Sequence, residues 1–176
     1  MINQMTPLDT IEKAFAESIG AQHPVRLIGG FDEPLYLPAT DDCAAEIRFR
    51  SDYPSSALHE VAHWCLAGAR RRALEDYGYW YEADRDRSAQ LAFERVESRP
   101  QALEWVFSRA VGCAFRVSAD NLSVGVGEHF REVIRAEARL FVVNMPTDGL
   151  RFARALAKLS GHQDFLSIDH YLELPQ

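Results

Sequence analysis

No stretch of this chain stays apolar for the roughly 18 consecutive residues that a membrane helix needs, so a transmembrane span is excluded on length. An excess of positive charge is missing too. Asp and Glu number 26 against 19 Lys and Arg, giving a formal net charge of -7, so nonspecific binding to nucleic acid is not expected. Cysteine is scarce: Cys43, Cys65 and Cys113 are odd in number, widely spaced and contain no C-x-x-C pair. That disfavours a cysteine zinc site and a disulfide framework, and predicts buried free thiols in a reducing cytosol. The first residues, Met1 to Pro7, have neither a basic start nor an apolar core, so no signal peptide and a cytoplasmic location are expected. Internal repeats, low-complexity tracts and linkers are also absent.

What is present reads as an ordinary globular chain. It has 176 residues, 47 % hydrophobic and 26 % charged, enough for one domain with a real core but cramped for two. Thr6-Pro7 reads as the cap and first residue of a helix whose apolar face is Ile11, Phe15 and Ile19, ending at Gly20. Three short strands are expected at 25–28, 34–38 and 45–50; alternation is clearest in the last, with Ile47 and Phe49 on one face. Helices are expected from about Ser98 to Ala114, over Glu128–Val143 and over Leu150–Leu159, the last stopped by Ser160-Gly161. The fold class is therefore α+β: a single, mostly helical domain, 1–176, with a small N-terminal sheet.

The stretch with the most chemistry is Ser55-Ser56-Ala57-Leu58-His59-Glu60-Val61-Ala62-His63-Trp64-Cys65-Leu66. As a helix, capped by Ser55 or Ser56 and running to about Glu75, it places His59 and His63 one turn apart on one face. Two imidazoles at that spacing can bind one metal ion, with Glu60 beside the ion's open side. Two chemistries fit. With zinc, Glu60 acts as general base on a metal-bound water, giving a peptidase, the reading that motif frequency favours. With ferrous iron and one further carboxylate, open positions admit dioxygen, giving an oxygenase. A purely structural metal would need a fourth ligand. The nearby soft candidate, Cys65, lies about 160° from His63 on an ideal helix and points elsewhere.

A second informative stretch runs from Phe93 to Phe107. It places carboxylates Glu94, Glu97 and Glu104 in largely apolar surroundings, with Glu97 at a helix entrance. Glu94 and Glu104 are expected to face solvent. Tyr77-Gly78-Tyr79-Trp80-Tyr81 is expected to line either the core or a pocket. Arg70-Arg71-Arg72 reads as a solvated helix end, Glu82 to Ser88 as a polar loop, and His23, His129, His162 and His170 as surface histidines.

Several segments together carry a more specific signal. They are Asp32-Glu33-Pro34-Leu35-Tyr36-Leu37-Pro38-Ala39, the Ser56 to Cys65 helix, Gly78-Tyr79-Trp80-Tyr81, Val96-Glu97-x-x-Pro100-Gln101-Ala102-Leu103-Glu104-Trp105 and Ser118-x-Asp120-Asn121-Leu122. In these the chain resembles the bacterial elongation factor P hydroxylase family, which acts after a lysine of that factor has been β-lysylated. Beyond Arg131 the likeness is weak. The resemblance implies a zincin-like scaffold turned to oxidation, with Fe(II) held by His59, His63 and a carboxylate, Glu97 in preference to Glu94, and Glu60 handling protons beside the ion. Zinc is the alternative metal, and Glu60 keeps hydrolysis open. Tyr79, Trp80 and Tyr81 would line the channel for the modified lysine, and Asp120, Asp32 or Glu33 would meet its ammonium groups. The expected partner is elongation factor P, met by a monomer with no direct contact to nucleic acid or membrane.

Overall fold

Helix α1 (Pro7–Glu17) starts where Thr6-Pro7 predicts, and a reciprocal cap explains the start. The Thr6 hydroxyl accepts from the Asp9 amide, and the Asp9 carboxylate accepts from the Thr6 amide at 2.9 Å. The computed structural model describes residues 5–79, 87–118 and 127–175. Strands β1 (Val25–Phe31), β2 (Leu35–Leu37) and β3 (Ala45–Arg50) form one sheet in the order β1-β3-β2, with β1 parallel and β2 antiparallel to the central β3. Ile47 and Phe49 are fully buried, as their alternation predicts. The β1 register slips between Ile28 and Phe31 at Gly29-Gly30. A side chain on Gly29 would run into the Phe49 ring, so the close approach of β1 to β3 requires glycine there.

Helix α2 (Pro54–Leu66) carries the two motif histidines and packs between β3 and the long helix α4 (Arg87–Val111). Both ends of α2 differ from expectation. Pro54 is its first residue and Tyr53 its N-cap, without a side-chain cap bond; the Ser56 hydroxyl instead accepts from the Arg50 amide at 2.9 Å, tying the helix to the end of β3. It stops at Leu66 rather than near Glu75, because Ala67 and Gly68 turn to extended backbone. Arg72, in the short helix α3 (Ala69–Arg72), folds back over this end. Its Nε donates to the Trp64 carbonyl at 3.1 Å, its guanidinium lies 3.5 Å over the Trp64 ring, and its Nη2 meets Asp148 at 3.3 Å. Of the arginine triplet, Arg70 and Arg71 are solvated and Arg72 is not.

A 3₁₀ turn follows at Glu75–Gly78. Asp76 and Tyr77 both take left-handed backbone, with φ of 45° and 58°, which costs a non-glycine residue on the order of 1–3 kcal/mol. The Asp76 carboxylate accepts from the Tyr36 amide at 2.8 Å, and the Tyr36 hydroxyl donates to the Arg72 carbonyl at 2.7 Å. These two bonds hold the turn against β2.

Helix α4 begins at Arg87, eleven residues before the expected Ser98, so Arg87 and Ser88 belong to it rather than to a loop. Pro100 therefore lies in its interior. Lacking an N–H, it leaves the Val96 carbonyl without its helical partner, in the turn that bears Glu97. Helices α5 (Glu128–Val143) and α6 (Thr147–Ser160) pack on α4, and α1 packs on α6. The first matches its expected bounds; the second starts three residues earlier and ends at Gly161, whose φ of 89° serves as a left-handed C-cap. Phe152 meets Phe15 and Phe107 edge-on, joining α1, α4 and α6 in one core. The terminal segment ends in a 3₁₀ turn, Ile168–Tyr171, that buries Tyr171 against Trp105. The architecture is mostly helical with a small three-stranded sheet, and among the described residues no helix is long and apolar enough to cross a membrane.

Candidate metal centre

Helices α2 and α4 pack face to face, and their polar residues meet at one place. His59 and His63, one turn apart on α2, turn their rings towards each other, with Nε2 atoms 3.0 Å apart. Glu97, 4 % exposed on α4, brings Oε2 to 3.3 Å from each of those nitrogens. Among the described residues, these three bring their ligand atoms within 4.8 Å of one another. Bonds of about 2.1 Å to one ion place neighbouring ligand atoms about 3.0 Å apart at right angles and about 3.4 Å apart at tetrahedral angles. The observed separations fall in that span. Two imidazoles and a carboxylate are also a donor set suited to ferrous iron or zinc. The residues fit a divalent ion.

Each ligand is held by its own contacts. The second carboxylate of α4, Glu104, accepts from His59 Nδ1 at 2.9 Å. The His63 ring stacks on Tyr77 with centroids 6.0 Å apart, and Tyr77 stacks in turn on Tyr36 at 4.3 Å. The Tyr77 hydroxyl is buried with no hydrogen-bond partner among the described residues. Gln101, one turn beyond Glu97, clamps the backbone of Ser118: its Nε2 donates to the Ser118 carbonyl at 2.6 Å, and its Oε1 accepts from the Ser118 amide at 2.9 Å. That pair of bonds pins the segment after α4 beside the carboxylate-bearing face.

The charges follow from this packing. Burial alone would push the Glu97 carboxyl up, but His63, together with hydrogen bonds from both histidines, pulls it far below the ordinary carboxylate range. Burial works to strip His59 of a proton; the hydrogen bonds to Glu104 and Glu97 win, and its proton affinity rises well above that of a free imidazole. Burial raises the Glu60 carboxyl, opposed by His63 and His59. Burial likewise raises Glu104, with the His59 hydrogen bond opposing it. Two buried carboxylates against the histidines make the cluster a favourable environment for a cation.

The placement of the sequence candidates is uneven. His59, His63 and Glu97 come together. Glu94 does not join them: it is half-buried and accepts from Gln90 at 3.2 Å. Glu104 corrects the expectation of a solvent-facing residue, being only 7 % exposed. Its spacing of seven residues from Glu97, two helical turns, within the apolar run Ala102 to Phe107 was the available signal. Tyr77 reaches the site by stacking, a contact that no motif announces. Tyr79 is half-buried, with the Arg71 guanidinium 4.2 Å over its ring. Trp80, Tyr81 and Asp120 lie outside the described residues. Asp32 and Glu33 are exposed between β1 and β2. Of the three free thiols Cys65 is buried, Cys113 half-buried and Cys43, in a turn rich in Asp, exposed, which corrects the expectation that all three are buried. Of the remaining histidines, His129 and His162 are exposed, while His23 is half-buried and meets Asp148 at 3.1 Å, and His170 Nε2 meets Asp164 at 2.8 Å.

Comparison with known proteins bears on the chemistry. The sequence profile of the family described as elongation factor P hydroxylase matches residues 14–171. A protein of Haemophilus influenzae named elongation factor P lysine hydroxylase is 38 % identical over 166 residues, covering 92 % of this chain and 93 % of the relative. Neither finding supports the peptidase reading. A match of that extent, running through α2 and α4 alike, makes the chain a member of the elongation factor P hydroxylase family.

Proposed function

We propose that this chain is an iron- and oxygen-dependent hydroxylase of elongation factor P, inserting one oxygen atom into a C–H bond of the factor's β-lysylated lysine. The observation that carries the reading is the convergence of His59, His63 and Glu97 on one point, in a chain of this family. His59, His63 and Glu97 would hold Fe(II), which when bound supplies the activation of dioxygen that protein side chains lack. Overall, one oxygen atom enters the substrate and the other leaves as water, with two electrons from an external reductant and two protons.

The chain's own residues have distinct tasks. Two imidazoles and one carboxylate leave the rest of an ion's coordination sphere to small molecules. Glu60, next to His59 on α2 and raised by burial, is suited to hold and release a proton beside that sphere. Tyr79, Trp80 and Tyr81 are assigned to the long modified side chain, and Asp120 to its ammonium groups, on the resemblance described above. The chain acts as one domain on a zincin-like plan, with the general base of a peptidase reused for proton handling. A cytoplasmic monomer is the form inferred.

Intact-mass analysis of β-lysylated elongation factor P, incubated with the protein, Fe(II), a reductant and air, tests the reading. A gain of one oxygen atom is expected, lost with His59→Ala and with zinc in place of iron. No gain, together with zinc-dependent peptide cleavage, would overturn it.

A further inference from the structure

One imidazole is gripped at both nitrogens by carboxylates from the same helix. Glu97 Oε2 lies 3.3 Å from His59 Nε2, and Glu104 Oε2 lies 2.9 Å from His59 Nδ1. Glu97 and Glu104 are seven residues apart, which on a helix returns to within about 20° of the same direction. Both are nearly sealed from solvent, at 4 % and 7 % exposure. His63 has no such arrangement: among the described residues its hydrogen-bonded atom is Nε2, and its ring is held by the stack on Tyr77. The site therefore secures one histidine by a directed bond and the other by packing.

We propose that Glu104 is a positioning residue that accepts a hydrogen bond from His59 Nδ1–H, fixes the ring's tautomer and orientation, and so presents Nε2 to the metal. An ionised carboxylate only accepts hydrogen bonds, so the nitrogen facing it carries the hydrogen and the lone pair is left on the other. Neutral histidine has two tautomers, and an ion bound at Nε2 requires the one protonated at Nδ1. A ligand ring with free rotation loses affinity; one locked by an outer carboxylate does not, and loss of such partners typically weakens metal binding roughly 10- to 100-fold. The side chain's burial in an apolar run, where a leucine or methionine would serve packing equally well, is accounted for by this role.

The inference rests on His59 being a metal ligand, and the test separates the two claims. Metal affinity is measured by competition with a chromophoric chelator, using Zn(II) and Co(II), for the parent, Glu104→Gln, Glu104→Met and Glu94→Ala. Glutamine keeps an acceptor and methionine keeps only the volume. Glu104→Gln is expected within a few-fold of the parent, Glu104→Met roughly 10- to 100-fold weaker under conditions where its metal-free form stays folded, and Glu94→Ala unchanged. Equal affinity of parent and Glu104→Met, or equal losses in Glu104→Gln and Glu104→Met, overturns the role of Glu104 alone. A parent that takes up no metal removes the ligand assignment with it. Nitrogen NMR of the zinc-loaded parent gives a second readout that does not depend on the methionine variant folding. His59 is expected to carry its hydrogen on Nδ1, and coordination through Nδ1 overturns the proposal.

Discussion

Helix α2 supplies two histidines from a four-residue spacing, whereas α4 supplies two carboxylates seven residues apart in the middle of a 25-residue helix. The α2 pair is local geometry: any helix over 54–66 puts His59 and His63 on one face, whatever packs against it. The α4 pair has meaning only through its partner, since a Glu on a helix is ordinary until a buried imidazole lies opposite. One half of the site is written in spacing, the other in tertiary contact.

The largest effect expected tests the local half. His59→Ala or His63→Ala should abolish metal retention and hydroxylation together, measured as bound iron per chain and product mass. Activity retained in both variants would break the α2 assignment. Next comes the clamp on the α4 side. Gln101→Ala removes two hydrogen bonds to Ser118 and is expected to lower stability by about 1–3 kcal/mol, seen as a fall in melting temperature; no change would mean the 113–118 segment does not depend on α4.

Acidity probes how the halves couple. Burial works against a proton on His59, but its hydrogen bonds to Glu104 and Glu97 overcome burial, so its proton affinity is raised in the fold. That contribution to metal-free stability is fully present below the ordinary imidazole value of 6.5 and is lost as pH rises through the raised value. A metal ion takes the place of that proton, so the rise in melting temperature on adding Zn(II) should grow with pH across the same interval. A rise independent of pH would uncouple His59 from the ion.

The smallest effects concern how the helices begin. Thr6→Ala breaks a reciprocal cap and should cost about 1 kcal/mol. Ser55→Ala, by contrast, should change stability by less than about 0.5 kcal/mol, because this exposed serine makes no cap bond. Equal losses would restore serine capping to α2.

These contrasts explain what could be read in advance. The α1 start, the β3 alternation and the bounds of α5 follow from local chemistry: a Thr-Pro cap, a period of two, one apolar stripe. The stop at Ala67-Gly68 was hidden, because Arg72 closes it from outside the helix by bonding Trp64. The left-handed pair Asp76-Tyr77 was hidden as well, held by a bond to Tyr36 forty residues earlier in the chain. Glu97 is legible through family resemblance and its helical spacing from Gln101, although it lies inside α4 and not at a helix entrance. The burial of Glu104 is not legible locally, because it depends on the imidazole across the helix interface.

The central claim is that one ion bridges α2 and α4 through His59, His63 and Glu97. Metal content per chain of Glu97→Ala and Glu94→Ala, loaded with Fe(II) without oxygen and measured side by side, tests it most directly. The account predicts that Glu94→Ala retains the parent's iron and that Glu97→Ala loses it. Iron kept by Glu97→Ala and lost by Glu94→Ala would contradict it.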